Sequence, residues 1–438
     1  MKAILRDERE MKDSGIVWAS KMPNHWATIP LYSVLEEINQ KNEPIITTNI
    51  LSLTNTDGVI PYSERGNQGN KAKTSFEDYK VVYPNTIVAN SMNILIGSVG
   101  LSKYEGCVSP VYYVYKSKND TDIRYINYLF QMESFQKNLR QYANGILEIR
   151  LRVSSHDILH QNIAFPSYKE QEIIANYLDD RCSKIDAIIA EAKASIEEYK
   201  ELKQAVIYEA VTKGLDKNVE MKDSEYEFIG NVPEHWMVCK LRHIGLPQNG
   251  ISTSGDSFGS GYPFVSYGDV YKNYELPHEV SGLVESSDED RERYSVQAGD
   301  IFFTRTSETK EEIGFSAVCE KTIQNATFAG FLIRVRPFNN KLDTKFAKYY
   351  FRSKHLRAYF VKEMNLVIRA SLGQDLLKGA PVLLPPKNEQ SLIAEYLENK
   401  CSTIDNVIEE KEDIIDNLEA YKKSLIYEVV TGKRKVVA

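Results

Sequence analysis

From Gln171 to Thr212 the apolar positions recur in steps of three and four: Leu178, Cys182, Ile185, Ile189, Ala192, Ile196, Tyr199, Leu202, Val206 and Ala210. That spacing lays them along one face of a helix. Neither Gly nor Pro interrupts the chain between Pro166 and Gly214. The pattern therefore predicts a single helix, roughly 60 Å long at about 1.5 Å per residue. Such a helix is too long to bury its stripe against one small core and needs a partner helix. The partner lies 219 positions further on, where Gln171, Cys182, Tyr208 and Thr212 return as Gln390, Cys401, Tyr427 and Thr431. The stripe returns with them, as Ile404, Ile408, Ile415, Leu418, Tyr421, Leu425 and Val429. Only Lys411 breaks it, standing where Ala192 stands; it either snorkels out of the seam or pairs with an acid across it. The expectation is an intramolecular coiled coil whose seam runs through Ile185, Ile189, Ile196, Leu202 and Val206 on one helix and Ile404, Ile408, Ile415, Leu418 and Leu425 on the other.

A second repeat, shifted by 210, precedes each globular region. Met11-Lys12-Asp13-Ser14 returns as Met221-Lys222-Asp223-Ser224, and Pro23, His25 and Trp26 return as Pro233, His235 and Trp236. The histidines lack the partner spacing of a metal site, so each segment reads as a proline turn with a Trp anchor at a domain entrance. The predicted order is a lead-in (1–26), a first domain (27–165), a spacer helix (166–220), an entrance repeat (221–236), a second domain (237–384) and a second spacer helix (385–438). Short apolar runs such as Val81-Val82-Tyr83, Thr86 to Ala89, Ile301 to Phe303 and Phe331 to Val335 predict strands. Tyr125 to Tyr142 and Thr344 to Met364 look helical. The fold class is thus mixed α/β domains, two of them, joined by two long helices, with sheet order open. Between the domains the match is faint: Pro84 to Ile87 aligns with Ala298 to Ile301, and Ile149-Arg150 with Ile368-Arg369. Gly255 to Gly261 reads as a flexible loop, because it lacks the Lys-Ser/Thr of a phosphate loop.

The first helix runs on into Met221-Lys222-Asp223-Ser224, whereas the counterpart of that continuation after the second helix is at the N-terminus. Joining the ends would give a cyclic repeat. That implies a pseudo-two-fold, antiparallel helices and neighbouring termini.

Composition adds the setting. The chain has 438 residues, 42% hydrophobic and 26% charged, as in water-soluble proteins of two to four domains. No apolar run approaches the roughly 20 residues of a membrane span, and the N-terminus lacks a signal-peptide core. Five scattered cysteines without a C-x-x-C pair suggest no disulfide framework, no zinc site and a cytoplasmic location. The net charge of −7 is unevenly placed. Residues 169–220 hold 8 basic and 12 acidic side chains and residues 388–438 hold 7 and 11, so each is −4. The globular regions, with 13 of each sign in 27–165 and 19 against 17 in 237–384, keep the capacity for basic faces.

Two differing domains on a rigid strut suit the reading of two different half-sites on one face of a duplex, about 34–36 Å apart per helical turn. The whole chain resembles the specificity subunit of a type I restriction-modification system. The likeness rests on the two Pro-x-His-Trp entrances, the Pro-x-x-x-x-Gln helix starts, the Ile-Tyr-Glu-x-x-Thr helix ends and their order around two variable regions. The resemblance implies target-recognition domains that read an asymmetric bipartite site in double-stranded DNA, and spacer helices that dock two methyltransferase subunits. It also implies restriction/motor subunits in the complex, with S-adenosylmethionine, ATP and Mg held by those partners and none by this chain. No Gly-rich S-adenosylmethionine loop, no Asn/Asp-Pro-Pro-aromatic motif and no phosphate loop occurs, so no catalytic, cofactor or metal residue is assigned.

Base edges are read by Arg on guanine and Asn or Gln on adenine. The candidates are Asn90, Ser91 and Asn93 in the first domain, and Arg305, Thr306 and Ser307 in the second. Lys71, Lys73, Lys348 and Arg352 suit phosphates, and Arg150, Arg152 and Arg369 suit either. Acidic helix faces such as Glu197-Glu198 and Glu409-Glu410 serve as solvated surface or for docking. Two other classes stay open: a self-contained methyltransferase or nuclease, which would bind S-adenosylmethionine alone, and a coiled-coil scaffold without a nucleic-acid role.

Overall fold

Each long helix begins just after a proline and ends at a glycine. In the computed structural model, which describes residues 1–54, 58–65, 75–118, 120–144, 151–252, 255–307, 313–363 and 370–437, the helices span Tyr168–Lys213 and Lys387–Val430. Ser167 opens the first, accepting from the Glu170 backbone N–H at 3.4 Å and donating to the Glu170 carboxylate at 3.1 Å. This serves N–H groups that a helix start leaves bare. Gly214 and Gly432 close the helices at φ of +74° and +72°, a conformation open to glycine. At Gly432 a Cβ would lie 2.5 Å from the Pro23 ring and 2.9 Å from the Trp26 indole, so the small residue is also a packing requirement.

The chain forms two compact units, Met1–Ala192 with Glu412–Ala438, and Lys193–Lys411. In the first, Lys2–Leu5 pairs antiparallel with Arg434–Val437, so both ends of the chain share a two-stranded sheet. Met11–Asp13 pairs with Lys21–Pro23 at the entrance. Ala27–Pro30 pairs with Asn162–Phe165 and closes the base of the domain. Its main sheet is antiparallel, in the order Val99–Leu101, Ile87–Asn90, Tyr112–Ser117, Leu35–Glu37.

The second unit repeats this plan. Met221–Asp223 pairs with Asn231–Pro233, and Met237–Lys240 with Pro381–Leu384. Its main sheet runs Ser316–Val318, Ile301–Thr304, Leu332–Pro337, Gly245–Asn249, also antiparallel. The faint match before the second strand of each sheet has a backbone cause: Asn85 and Gly299 both turn with positive φ. The helical stretches are each broken in two, as Ile123–Gln131 and Glu133–Leu139, and as Thr344–Tyr350 and Lys354–Glu363. The glycine-rich stretch is not a loop. Phe258–Val265 is a strand with a register shift between Phe258 and Tyr262 on its Leu283–Val284 partner, and Gly259 and Gly261 take positive φ there.

Within each unit the long helices run antiparallel: Trp26, which contacts the first helix start, also abuts Gly432, and Gly214 abuts Glu389 at the second helix start. Ile185, Ile189, Ile196, Ile404, Ile415 and Leu425 are buried in the seam, and Val206, Ile408 and Leu418 are half-buried. Leu202 is a correction: it is 48% exposed, and its repeat Tyr421 is 55% exposed. The seam instead steps to the next residue, Lys203 and Lys422. Their stems are half-buried and their ammonium groups reach Asp405 at 2.6 Å and Asp186 at 2.6 Å. The stripe moves by four residues after Tyr199 rather than three, and the lysine stem serves as the apolar element. Lys411 places its ammonium 5.7 Å from the Tyr199 ring centre, a cation–π contact. Leu202→Ser is therefore expected to change stability by less than about 0.5 kcal/mol, whereas Ile196→Ser costs roughly 2–4 kcal/mol. Urea unfolding of both variants checks the shifted seam.

The entrance repeats meet the helix starts. The Glu170 carboxylate receives His25 Nε2 at 2.9 Å and Trp26 Nε1 at 3.4 Å; Glu389 receives His235 at 2.8 Å and Trp236 at 3.1 Å. Burial alone would raise the Glu170 pKa, but these donors outweigh it and hold it below its ordinary value. The next residue, Gln171 or Gln390, is fully buried and bonds back to the proline carbonyl before the helix, Pro166 at 2.9 Å or Pro385 at 2.8 Å. Its oxygen accepts the backbone N–H of Asp122 or Asp343, the N-cap of a domain helix. Tyr128 and Tyr349 repeat a further tie, donating to Asp179 at 2.7 Å and Glu398 at 2.8 Å. The repeated motifs thus fix each domain to its own helix ends.

Candidate nucleic-acid interface

The main sheet of each domain ends on the same backbone frame. In the first, Asn90 pairs with Tyr112, and the Ser91 carbonyl accepts the Val153 N–H at 3.1 Å. In the second, Thr304 pairs with Leu332, and the Arg305 carbonyl accepts the Leu372 N–H at 2.7 Å. Ser91 and Arg305 are therefore equivalent, as are Val153 and Leu372. Arg152 precedes Val153, pairs its backbone with Asn144 and exposes its side chain. Asn93 is exposed at the turn that follows Ser91, next to the short helix Ile94–Ile96. The frame thus brings Ser91, Asn93 and Arg152 to one sheet end. In the second domain it brings Arg305, Thr306 and the Ser307 backbone together, with Thr306 and Ser307 pairing with Ser371 and Ala370.

Other candidates are engaged within the fold. Asn90 is buried, and its side-chain oxygen accepts the Met92 N–H at 3.0 Å, so it shapes the turn and is not free to reach a base. Ser91 is buried as well. Lys348 lies 3.0 Å from Glu398 and 3.5 Å from Glu275. Desolvation would lower its pKa, but the two carboxylates outweigh this and raise it, so its charge is matched internally instead of facing a phosphate. Arg352 is buried and donates to the carbonyls of Val270, Tyr271, Asn273 and Ser316 at 2.6–3.2 Å. It caps the helix Tyr267–Lys272, and burial pushes its pKa down to about 10. Lys71, Lys73, Arg150 and Arg369 lie outside the described residues.

Two exposed apolar side chains escaped the sequence reading. Val111 and Phe331 occupy equivalent positions, one residue before Tyr112 and Leu332, and are 37% and 64% exposed. Gly330 ahead of Phe331 was the local sign that the strand starts later than the apolar run. Among the described residues no three His, Cys, Asp or Glu side chains are grouped to hold a metal ion, and no helix is long and apolar enough to cross a membrane.

With this doubled frame and its helix pair in view, comparison with known proteins is direct. The chain belongs to the type I restriction modification DNA specificity domain family, whose model matches residues 23–198 and again 233–420. It is 25% identical over 283 residues to the specificity subunit of the type I restriction enzyme EcoKI from Escherichia coli K12, covering 63% of this chain. That match spans 57% of the relative, a little over half its length. It is also 25% identical over 439 residues to the MjaVIII specificity subunit of Methanocaldococcus jannaschii, covering 95% of this chain and 94% of that one. Among solved structures, one from a study of complex assembly and conformational transition of the type I R-M system shares the fold. Its TM-score is 0.71 at 13% identity, covering 94% of this chain and 99% of that one.

Proposed function

We propose that this chain is the DNA-address subunit of a type I restriction-modification complex in the cytoplasm. Each domain reads one half of an asymmetric bipartite site in double-stranded DNA, and the chain itself catalyses nothing. Two methyltransferase subunits dock on the long helices and bring S-adenosylmethionine; restriction/motor subunits bring ATP and Mg. The observation that carries the reading is the sheet end built twice on one backbone frame with different side chains at equivalent positions. Different half-sites call for such a pair: a common scaffold for the phosphates and private side chains for the bases. The exposed acids Glu197, Glu198, Glu409 and Glu410 support a helix surface that faces protein partners and repels phosphates.

The test is to map methylated bases by single-molecule sequencing in cells expressing the cognate methyltransferase, with and without this chain. A split, asymmetric, adenine-methylated site is expected only in its presence. An unchanged methylation pattern with both proteins expressed would sink the proposal.

A further inference from the structure

The two sheet ends share a frame, but the second carries a fork and a ring where the first has small residues. At the first position of the frame stands Ser91 in one domain and Arg305 in the other. At the second stands Val111 in one and Phe331 in the other. Arg305 donates its backbone N–H to the Phe331 carbonyl at 2.9 Å, so the two are neighbours across adjacent strands. Cross-strand neighbours project to the same side of a sheet. Phe331 is 64% exposed there, and its counterpart Val111 is exposed as well.

The state of Arg305 stands out against other arginines near it. Arg336 holds Asp300 through two nitrogens at 2.7 and 2.6 Å, Arg334 is tied to Ser295 and Gln248, and Arg352 is bonded to four carbonyls. Those guanidiniums belong to the fold. Arg305 makes no ion pair among the described residues, and it sits half-buried at the sheet end. A guanidinium held by its backbone on both sides, with its charge uncommitted among the described residues, is prepared for an external planar acceptor pair. The O6 and N7 atoms of guanine in the major groove form such a pair.

We infer that Arg305, with Phe331 beside it, reads a guanine in the half-site of the second domain. The exchange of Ser91 for Arg305 and of Val111 for Phe331 at equivalent positions then makes the two half-sites differ. Phe331 covers the contact from water on its open side and packs on the neighbouring base. This rests on the DNA-address reading above and names a base and the residues that read it.

The experiment uses the full chain assembled with its methyltransferase on duplexes randomised at each half-site position. The variants are Arg305→Ala, Arg305→Lys and Phe331→Val, with Asn93→Ala as the first-domain control. Arg305→Ala is expected to relax discrimination at one G·C pair by about tenfold to hundredfold and leave the other half-site intact. Arg305→Lys keeps the charge but not the fork, so it relaxes the same pair while salt dependence stays as in the wild type. Phe331→Val gives a smaller loss at the same pair. Asn93→Ala leaves that half-site unchanged. If Arg305→Ala weakens all sequences equally and Arg305→Lys restores them, Arg305 is a phosphate contact and the inference is overturned. Unchanged discrimination in every variant overturns it too. A wild-type complex that methylates no split site at all overturns the DNA-address reading, and this inference with it.

Discussion

Gln390→Ala is expected to destabilise the second unit by about 3–6 kcal/mol, the largest effect of any single substitution considered. The Gln390 amide is fully buried and fully used: Nε2 donates to Lys341 O at 2.9 Å and Pro385 O at 2.8 Å, and Oε1 accepts from Asp343 N at 2.7 Å. Truncation strands two carbonyls and one N–H away from water, each costing roughly 1–3 kcal/mol. Gln171→Ala removes two such bonds, to Pro166 O and from Asp122 N, and is expected to cost about 2–4 kcal/mol by the same reckoning. Gln390→Glu separates chemistry from shape. It keeps the acceptor but turns an oxygen toward two carbonyls, so it should be at least as damaging as alanine. Urea unfolding and hydrogen exchange at the start of the second long helix read the effect. A Gln390→Ala chain within about 1 kcal/mol of the wild type would show that the amide is not what fastens the domain to its helix.

The same glutamines show what a sequence discloses when it is written twice. Gln171 and Gln390 stood out because they recur at one spacing after proline, and Trp26 and Trp236 stood out as repeated entrance anchors, whereas their partners Glu170 and Glu389 came only from the structure. What the repetition could not reveal was the contact itself, because Asp122 and Asp343 lie far from the glutamines in the chain. The strands were legible as short runs, but their order was not. Antiparallel pairing of Ile87–Asn90 with Tyr112–Ser117 and of Ile301–Thr304 with Leu332–Pro337 is decided by tertiary packing that no local pattern encodes. Leu202 was misplaced because an apolar count treats lysine as polar throughout, although the Lys203 stem fills the seam. Arg352 and Lys348 resembled phosphate contacts for a related reason: a cation on a helix gives no sign of which distant carbonyls or carboxylates it will meet. The turn role of Asn90 was within reach, since an Asn bonding two residues ahead is a local habit of that side chain. Half of the candidate interface, Val111 and Phe331, became visible only when the two sheets were registered on each other.

His355→Phe is expected to flatten the acid side of the stability profile. The imidazole is buried between Tyr208 and Tyr350, with ring centres 5.6 and 5.4 Å away. Its Nε2 lies 3.5 Å from the Ser353 hydroxyl, and its Nδ1 has no hydrogen-bond partner among the described residues. No carboxylate among the described residues balances a charge there, so burial pushes the pKa from 6.5 down to about 3. The unfolded chain, with an ordinary histidine, binds the proton first. Stability supported by the neutral ring is therefore intact above about pH 6.5 and is lost progressively as pH falls toward 3. Each pH unit in that window corresponds to about 1.4 kcal/mol, or roughly 2 kcal/mol at pH 5. Because Tyr208 lies on the first long helix, the loss falls on the contact between Lys354–Glu363 and that helix. Phenylalanine fills the same ring-shaped space and cannot be protonated, and it also removes the orphaned nitrogen. Hydrogen exchange across residues 354–363 at pH 5 and pH 7 should show wild-type protection falling by the equivalent of about 2 kcal/mol more than in His355→Phe. The other histidines are common to both chains and cancel in the comparison. Parallel profiles for the two chains would mean that His355 reaches water or a partner when it takes up a proton, and that burial between the tyrosines does not keep it neutral.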